Sequence, residues 1–141
     1  MQRRTLLSLL AFGLAAPAAA GAAEEARAGR VVYQIDDIDK IALALRNMRA
    51  HHAGGPRGLK LAAVVYGPAL SQFNGKTAKP EIKTAVAEAL QRGDVLYACV
   101  NTLAALDWTL ADLLRGFALA ENGGVVKLAD LQAQGWIYLR P

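Results

Sequence analysis

Cys99 is the single cysteine of the 141-residue chain, and it stands where an apolar run, Val95 to Val100, gives way to Asn101, Thr102 and a helical pattern. The carboxyl end of a strand in an open α/β sheet is where ligands bind and chemistry is done. A thiol there also faces the amino end of the next helix, whose partial positive charge favours the reactive thiolate. Such a sulfur is a nucleophile or sulfur acceptor, or else a small buried hydrophobe, and position alone leaves both open. Asn101 and Thr102 have the side chains of helix caps, and they are also placed to orient an anion or a persulfide at the sulfur. Two other expected strands end at Asp36 and Asp37 and at Tyr66 and Gly67. The aspartates suit helix caps; as sequence neighbours they point apart, which makes them a poor acid–base dyad. Tyr66 is expected to shape a pocket floor beside the sulfur, while Gly67 and Pro68 are also explained by a turn.

Other chemistry is absent or weak. His51 and His52 are adjacent rather than spaced by one helical turn, with no further ligand cluster to join. Favourable charge at a helix carboxyl end explains them better than a metal does. The sequence contains neither G-x-G-x-x-G nor a Walker loop, and neither C-x-x-C nor G-x-S-x-G, so no cofactor is expected.

The amino-terminal residues read as an export signal. Met1 to Arg4 is basic, Leu6 to Ala20 is uncharged and apolar, and Ala18 to Ala23 is rich in small residues. This is the three-part pattern of a signal peptide over residues 1–23, cleaved between Ala20 and Ala23, and it predicts a periplasmic or secreted protein. Arg3 and Arg4 also hint at the twin-arginine route. The apolar run is too short for a membrane span, so no stable span is expected after cleavage. Residues 24–29 are charged and small and read as a flexible lead-in. Lys and Arg total 16 against 12 acidic residues; without Arg3 and Arg4 that becomes 14 against 12, a formal charge of +2. No basic stripe is left, and nucleic acid is not an expected partner. A lone cysteine cannot form an intrachain disulfide.

Behind these residues lies an alternation of strand-like and helix-like segments. Arg30 to Ile35 is β-rich, and Ile38, Ile41, Ala42, Leu45 and Met48 follow a helical period that Gly54 to Pro56 stops. Leu59 to Tyr66 suits a strand buried on both faces. Gly67 to Lys79 reads as the longest irregular stretch, and Pro80 as the first residue of a helix that Gly93 closes. Val95 to Val100 is the third strand. The helix after it is interrupted at Asp107 to Thr109, where Thr109 and Asp112 resemble a fresh start. Phe117 to Ala120 is a short strand, Gly124 opens a helix that Gly135 ends, and Trp136 to Leu139 is the last strand. Trp108 and Trp136 are read as packing or interface residues. Five strands separated by helices predict one three-layer α/β/α domain over residues 30–141, with a mostly parallel five-stranded sheet.

Tyr97 to Leu103 around Cys99, Trp108 to Leu114, Gly124 to Val126 and Leu131 to Pro141 together resemble the DsrE/DsrF-like sulfur-relay family, in particular its exported single-domain branch. Val65 to Pro68 and the helix from Pro80 extend the resemblance over Val31–Pro141. It implies a five-stranded α/β fold assembled as homo-trimers or hexamers. It also implies that Cys99 matches the cysteine that accepts a persulfide in relay members, with Asn101 and Thr102 matching the branch's Cys-x-Asn-Thr pattern. The cytoplasmic relay proteins carry an arginine-rich stretch and a glycine shortly after that cysteine, where this chain has Leu106, Asp107 and Trp108. The function expected from the resemblance is sulfur carriage on Cys99 between a donor and an acceptor, protein or small molecule. The alternatives are a non-catalytic oligomeric module for a small ligand or protein, with a structural Cys99, and a redox sensor that forms an interchain disulfide.

Overall fold

The computed structural model describes Gly21 and residues 29–141. The expected signal peptide over 1–23 and lead-in over 24–29 therefore lie, but for Gly21 and Gly29, outside the described residues. From Arg30 onward the elements are β1 (Arg30–Ile35), α1 (Ile41–Gly54), β2 (Lys60–Val65), α2 (Pro80–Gln91), β3 (Val95–Cys99), α3 (Val100–Ala105), β4 (Phe117–Ala120), α4 (Gly124–Ala133) and β5 (Ile137–Leu139). Short 3-10 segments cover Ile38–Lys40, Gly67–Phe73 and Leu110–Asp112. The strands lie in the order β4-β3-β2-β1-β5, and every neighbouring pair is parallel. The expected three-layer arrangement is the one observed.

Side-chain alternation along β1 and β2 divides the core between the two faces of the sheet. Val31, Tyr33, Ile35, Leu61, Ala63 and Val65 pack with Leu45 and Met48 of α1 and Ile82 and Val86 of α2. Val32, Ala62 and Val64 point the other way, against Leu128 and Leu131 of α4. Among the described residues, two long helices thus cover one face and a single helix covers the other. Trp108 packs against the first cluster and Trp136 against the second, as packing residues do. Among the described residues, no helix is long and apolar enough to cross a membrane.

Several local expectations are revised. The helix expected from Ile38 starts as a 3-10 turn, with Asp37 as its cap through a 2.9 Å bond from the Asp39 N–H. Gly67–Phe73 is irregular only in part, because Ala69, Leu70 and Phe73 are wholly buried in the first core cluster and draw this stretch into a 3-10 helix. Val100 opens α3 rather than ending β3. The interruption after α3 is real: Asp107 adopts φ 55°, and Thr109 and Asp112 form a capping box, though only a three-residue turn follows.

At the amino edge of the sheet a buried carboxylate is paired with His52 and Arg92. The Asp94 side chain is fully buried; His52 Nε2 donates to one carboxylate oxygen, and Arg92 donates to the other at 3.2 Å. His51 Nδ1 meets the Tyr33 hydroxyl at 3.0 Å. The Tyr33 phenol is pushed above its ordinary range by burial and then by the negative charge of Asp94. Among the described residues, no group of three or more His, Cys, Asp or Glu side chains is placed to hold a metal ion.

Val64 and Leu96 are 0% and 1% exposed on opposite faces of the sheet. Val64→Asp and Leu96→Asp are each expected to cost about 4 kcal/mol or more, because the new carboxylate is buried without a partner, and to abolish cooperative thermal unfolding near the parent Tm. Retention of that transition in both variants rules out two buried faces. His52→Ala leaves the Asp94 carboxylate with Arg92 alone, and denaturant titration should show a loss of about 2 kcal/mol. His52→Gln, which keeps a donor, should lose less.

Candidate functional site

Parallel register lines up the carboxyl ends of the strands. Ile35 pairs with Val65, Val65 with Ala98, and Cys99 with Ala120. On the face covered by α4, alternation then sets Asp36, Tyr66 and Cys99 in a row along one edge, with Arg140 following β5 beyond Asp36. Arg140 donates two hydrogen bonds to the Asp36 carboxylate, at 3.0 and 3.3 Å. Asp36 is therefore an ion-pair partner rather than the expected helix cap, a role that falls to Asp37 alone. This corner borders a cavity of ≈ 310 Å³ lined by Gln34, Asp36, Asp37, Lys40, Arg140 and Pro141.

Cys99 is 5% exposed and ends β3 at the N-cap position of α3, where it makes no side-chain cap hydrogen bond. Its strongest geometric partner comes from elsewhere in the sequence: the backbone N–H of Gly124, first residue of α4, donates to Sγ at 3.1 Å. Burial alone would push the thiol up. The amide and hydroxyl of Thr102, which act on the sulfur without forming a cap hydrogen bond, together with the amides of Gly124 and Asn101, outweigh burial and hold the thiol below its ordinary value. The sulfur is thus buried among donors to its anionic form, a different environment from that of an inert apolar cysteine.

Asn101 and Thr102 do not cap α3. They occupy its first turn, because the helix starts one residue earlier than the strand pattern suggested. Thr102 Oγ1 accepts the Gly67 N–H at 2.9 Å, which ties the end of β2 to the segment after Cys99. Gly67 itself takes φ 58°, a left-handed conformation that a side chain would disfavour. The Tyr66 phenol is raised above its usual range by burial and then by Asp36, with smaller upward contributions from Tyr138 and Cys99 that Arg140 opposes. Tyr66 therefore lies electrically between the Asp36–Arg140 pair and the sulfur.

The structure brings Cys99, Thr102, Gly67, Tyr66 and Asp36 to one edge and adds two groups that sequence reasoning missed. Arg140 lies in the Leu131–Pro141 stretch that carries the family resemblance, but nothing in the sequence assigns it a partner. Gly124 reads as a helix start and as part of the family resemblance, with no role at the sulfur, although the glycine pair Gly123–Gly124 is the available sign of a close backbone approach. A separate groove of ≈ 250 Å³ runs between α1 and α2, floored by Leu45, Ile82 and Ala85. It belongs to the opposite face of the sheet and does not touch the sulfur.

No protein-family model matches the chain, and no curated protein matches it either. Solved structures do. The protein of unknown function BT1422 from Bacteroides thetaiotaomicron superposes with a TM-score of 0.60 at 16% identity, over 79% of this chain and 94% of its own, a likeness of fold alone. The protein of unknown function MTH1491 from Methanobacterium thermoautotrophicum superposes with a TM-score of 0.72 at 30% identity, covering 80% of this chain and 99% of its own. Likeness at that identity over nearly the whole of the archaeal protein means that this chain belongs to the same protein family as MTH1491.

Proposed function

We propose that the protein is a sulfur carrier that holds a persulfide on Cys99. The observation that carries this reading is the Gly124 N–H directed at Cys99 Sγ at 3.1 Å, within a set of donors that favours the thiolate. The resemblance to the DsrE/DsrF-like proteins supports it, and export to the periplasm or beyond and assembly as a homo-oligomer belong to the same proposal. In the first step the Cys99 thiolate attacks the outer, sulfane sulfur of thiosulfate or a polysulfide. A new bond forms from Sγ to that sulfur, the donor's own S–S bond breaks, and its electron pair leaves with sulfite or the shortened polysulfide. In the second step an acceptor thiolate attacks the outer sulfur of the persulfide. The bond to Sγ breaks, Cys99 returns as thiolate, and the acceptor keeps the sulfur. The small exposure of Cys99 favours small donors over a bulky protein partner for the first step.

One observation favours a second reading, a binding module with a structural cysteine: Cys99 is only 5% exposed. The two readings diverge in a simple assay. After incubation with thiosulfate or polysulfide, the intact mass of the carrier should rise by one sulfur atom, and the gain should vanish on reduction and in Cys99→Ser. A parent protein that gains no sulfur, and whose thiol reacts with iodoacetamide only after unfolding, is the binding module. A Cys99-dependent covalent dimer on non-reducing gels identifies the redox sensor.

The pH dependence is a further expectation. Because the thiol is held below its ordinary value, the folded protein should reach its half-maximal alkylation rate at a lower pH than a free thiol, whose pKa is about 8.5. The rate falls as pH drops through the lowered pKa, since the thiolate is the nucleophile. A profile centred at or above the free-thiol value contradicts an activated sulfur.

A further inference from the structure

The hydrogen bond to Cys99 depends on how closely the start of α4 approaches the sheet, and two glycines set that approach. A Cβ on Gly124 would lie 3.0 Å from Cδ1 of Tyr66 and 3.1 Å from its Cβ and Cγ, tighter than nearly all packed Cβ contacts, so that Tyr66 or α4 would have to give by a few tenths of an ångström. Cβ and Cγ are the root of the tyrosine side chain and cannot swing aside as a flexible tip would. On the other side of the turn, Gly123 has φ 100°, and a Cβ there would lie 2.8 Å from Asn101 Nδ2. The Gly123–Gly124 turn is thus held between Asn101, just past the sulfur in sequence, and Tyr66, at the end of the neighbouring strand.

We infer that Gly124 is a positioning residue for the Cys99 thiolate: its missing side chain lets the Tyr66 ring seat α4 at the depth where the first amide of the helix reaches the sulfur. The inference rests on the reading of Cys99 as the acting atom. It goes beyond that reading in assigning the tuning of the sulfur to a contact between two residues that take no part in the bond changes. Tyr66 acts as a spacer, Gly124 as the donor it places, and the positive end of the ten-residue α4 adds its dipole in the same direction. Asn101 bounds the same turn from the other side, which gives this residue a steric role in place of the cap expected of it.

The test reads the thiolate directly, by its ultraviolet absorbance across pH on the purified protein, so that burial of the sulfur does not limit the measurement. Gly124→Ala should lower the thiolate-to-thiol ratio at a given pH about tenfold, the effect of losing one hydrogen bond to a charged group. Tyr66→Ala combined with Gly124→Ala makes room for the methyl group and should return the titration to that of Tyr66→Ala alone. In the same background, Gly124→Pro is the control for the amide itself. Proline is tolerated at the first position of a helix and has no N–H, and its Cδ stands where the amide hydrogen met the sulfur. This variant therefore removes the donor and pushes Sγ away, and its thiolate-to-thiol ratio should be at least about tenfold smaller. The control also covers the case in which Gly124→Ala alone does not fold. Equal titrations for the Ala and Pro double variants overturn the inference, as does a folded Gly124→Ala protein that titrates like the parent. If the titrations behave as expected while the parent gains no sulfur from thiosulfate, the carrier reading fails and the positioning role of Gly124 stands.

Discussion

Parallel pairing of β2 with both of its neighbours is the constraint from which the site follows. Once Val65 is opposite Ile35 and Ala98, the residues one step further on, Asp36, Tyr66 and Cys99, share one edge and one face. That register is held by burial. Leu61 to Val65 are at most 1% exposed, and a slip of one residue would exchange the sets that meet α1 and α2 with the set that meets α4. A carboxylate, a phenol and a thiol are thus aligned by apolar side chains that take no part in their chemistry.

The two edges of the sheet divide the polar work. At the amino edge Asp94 is enclosed with His52 and Arg92 as partners, an arrangement whose loss affects stability first. At the carboxyl edge the donors around Cys99 are mostly backbone amides, which cannot be removed by ordinary side-chain substitution. This leaves geometry as the variable at the sulfur. Glycines that hold the amides in place then matter more than the polar side chains nearby.

Much of the fold could be read from the residues because local signals agreed with the tertiary outcome. Pro80 begins α2, Phe117–Ala120 forms β4 and Gly124 opens α4 where their patterns place them. Errors arose where tertiary burial overrode local chemistry, as in Gly67–Phe73, which reads as polar loop but is anchored by Leu70 and Phe73. The site was legible in part. Cys99, Tyr66 and Asp36 followed from the rule that strand ends gather at one edge. The partners of two of them did not, because Arg140 and Gly124 lie 104 and 25 residues away from the groups they meet. Periodicity reports what one element buries, and carries no information on which distant backbone amide will arrive at a given sulfur.

The position of α4 over one face of the sheet has a consequence for access. α4 both seals Val32, Ala62 and Val64 and supplies the amide at Cys99, whereas the opposite face has two helices to share its cover. A local opening that lifts α4 would uncover the sulfur and remove its donor in the same movement. Reachability and ionisation therefore oppose each other: the sulfur is most ionised while it is hidden, and a reagent that waits for the open form meets a smaller fraction of thiolate.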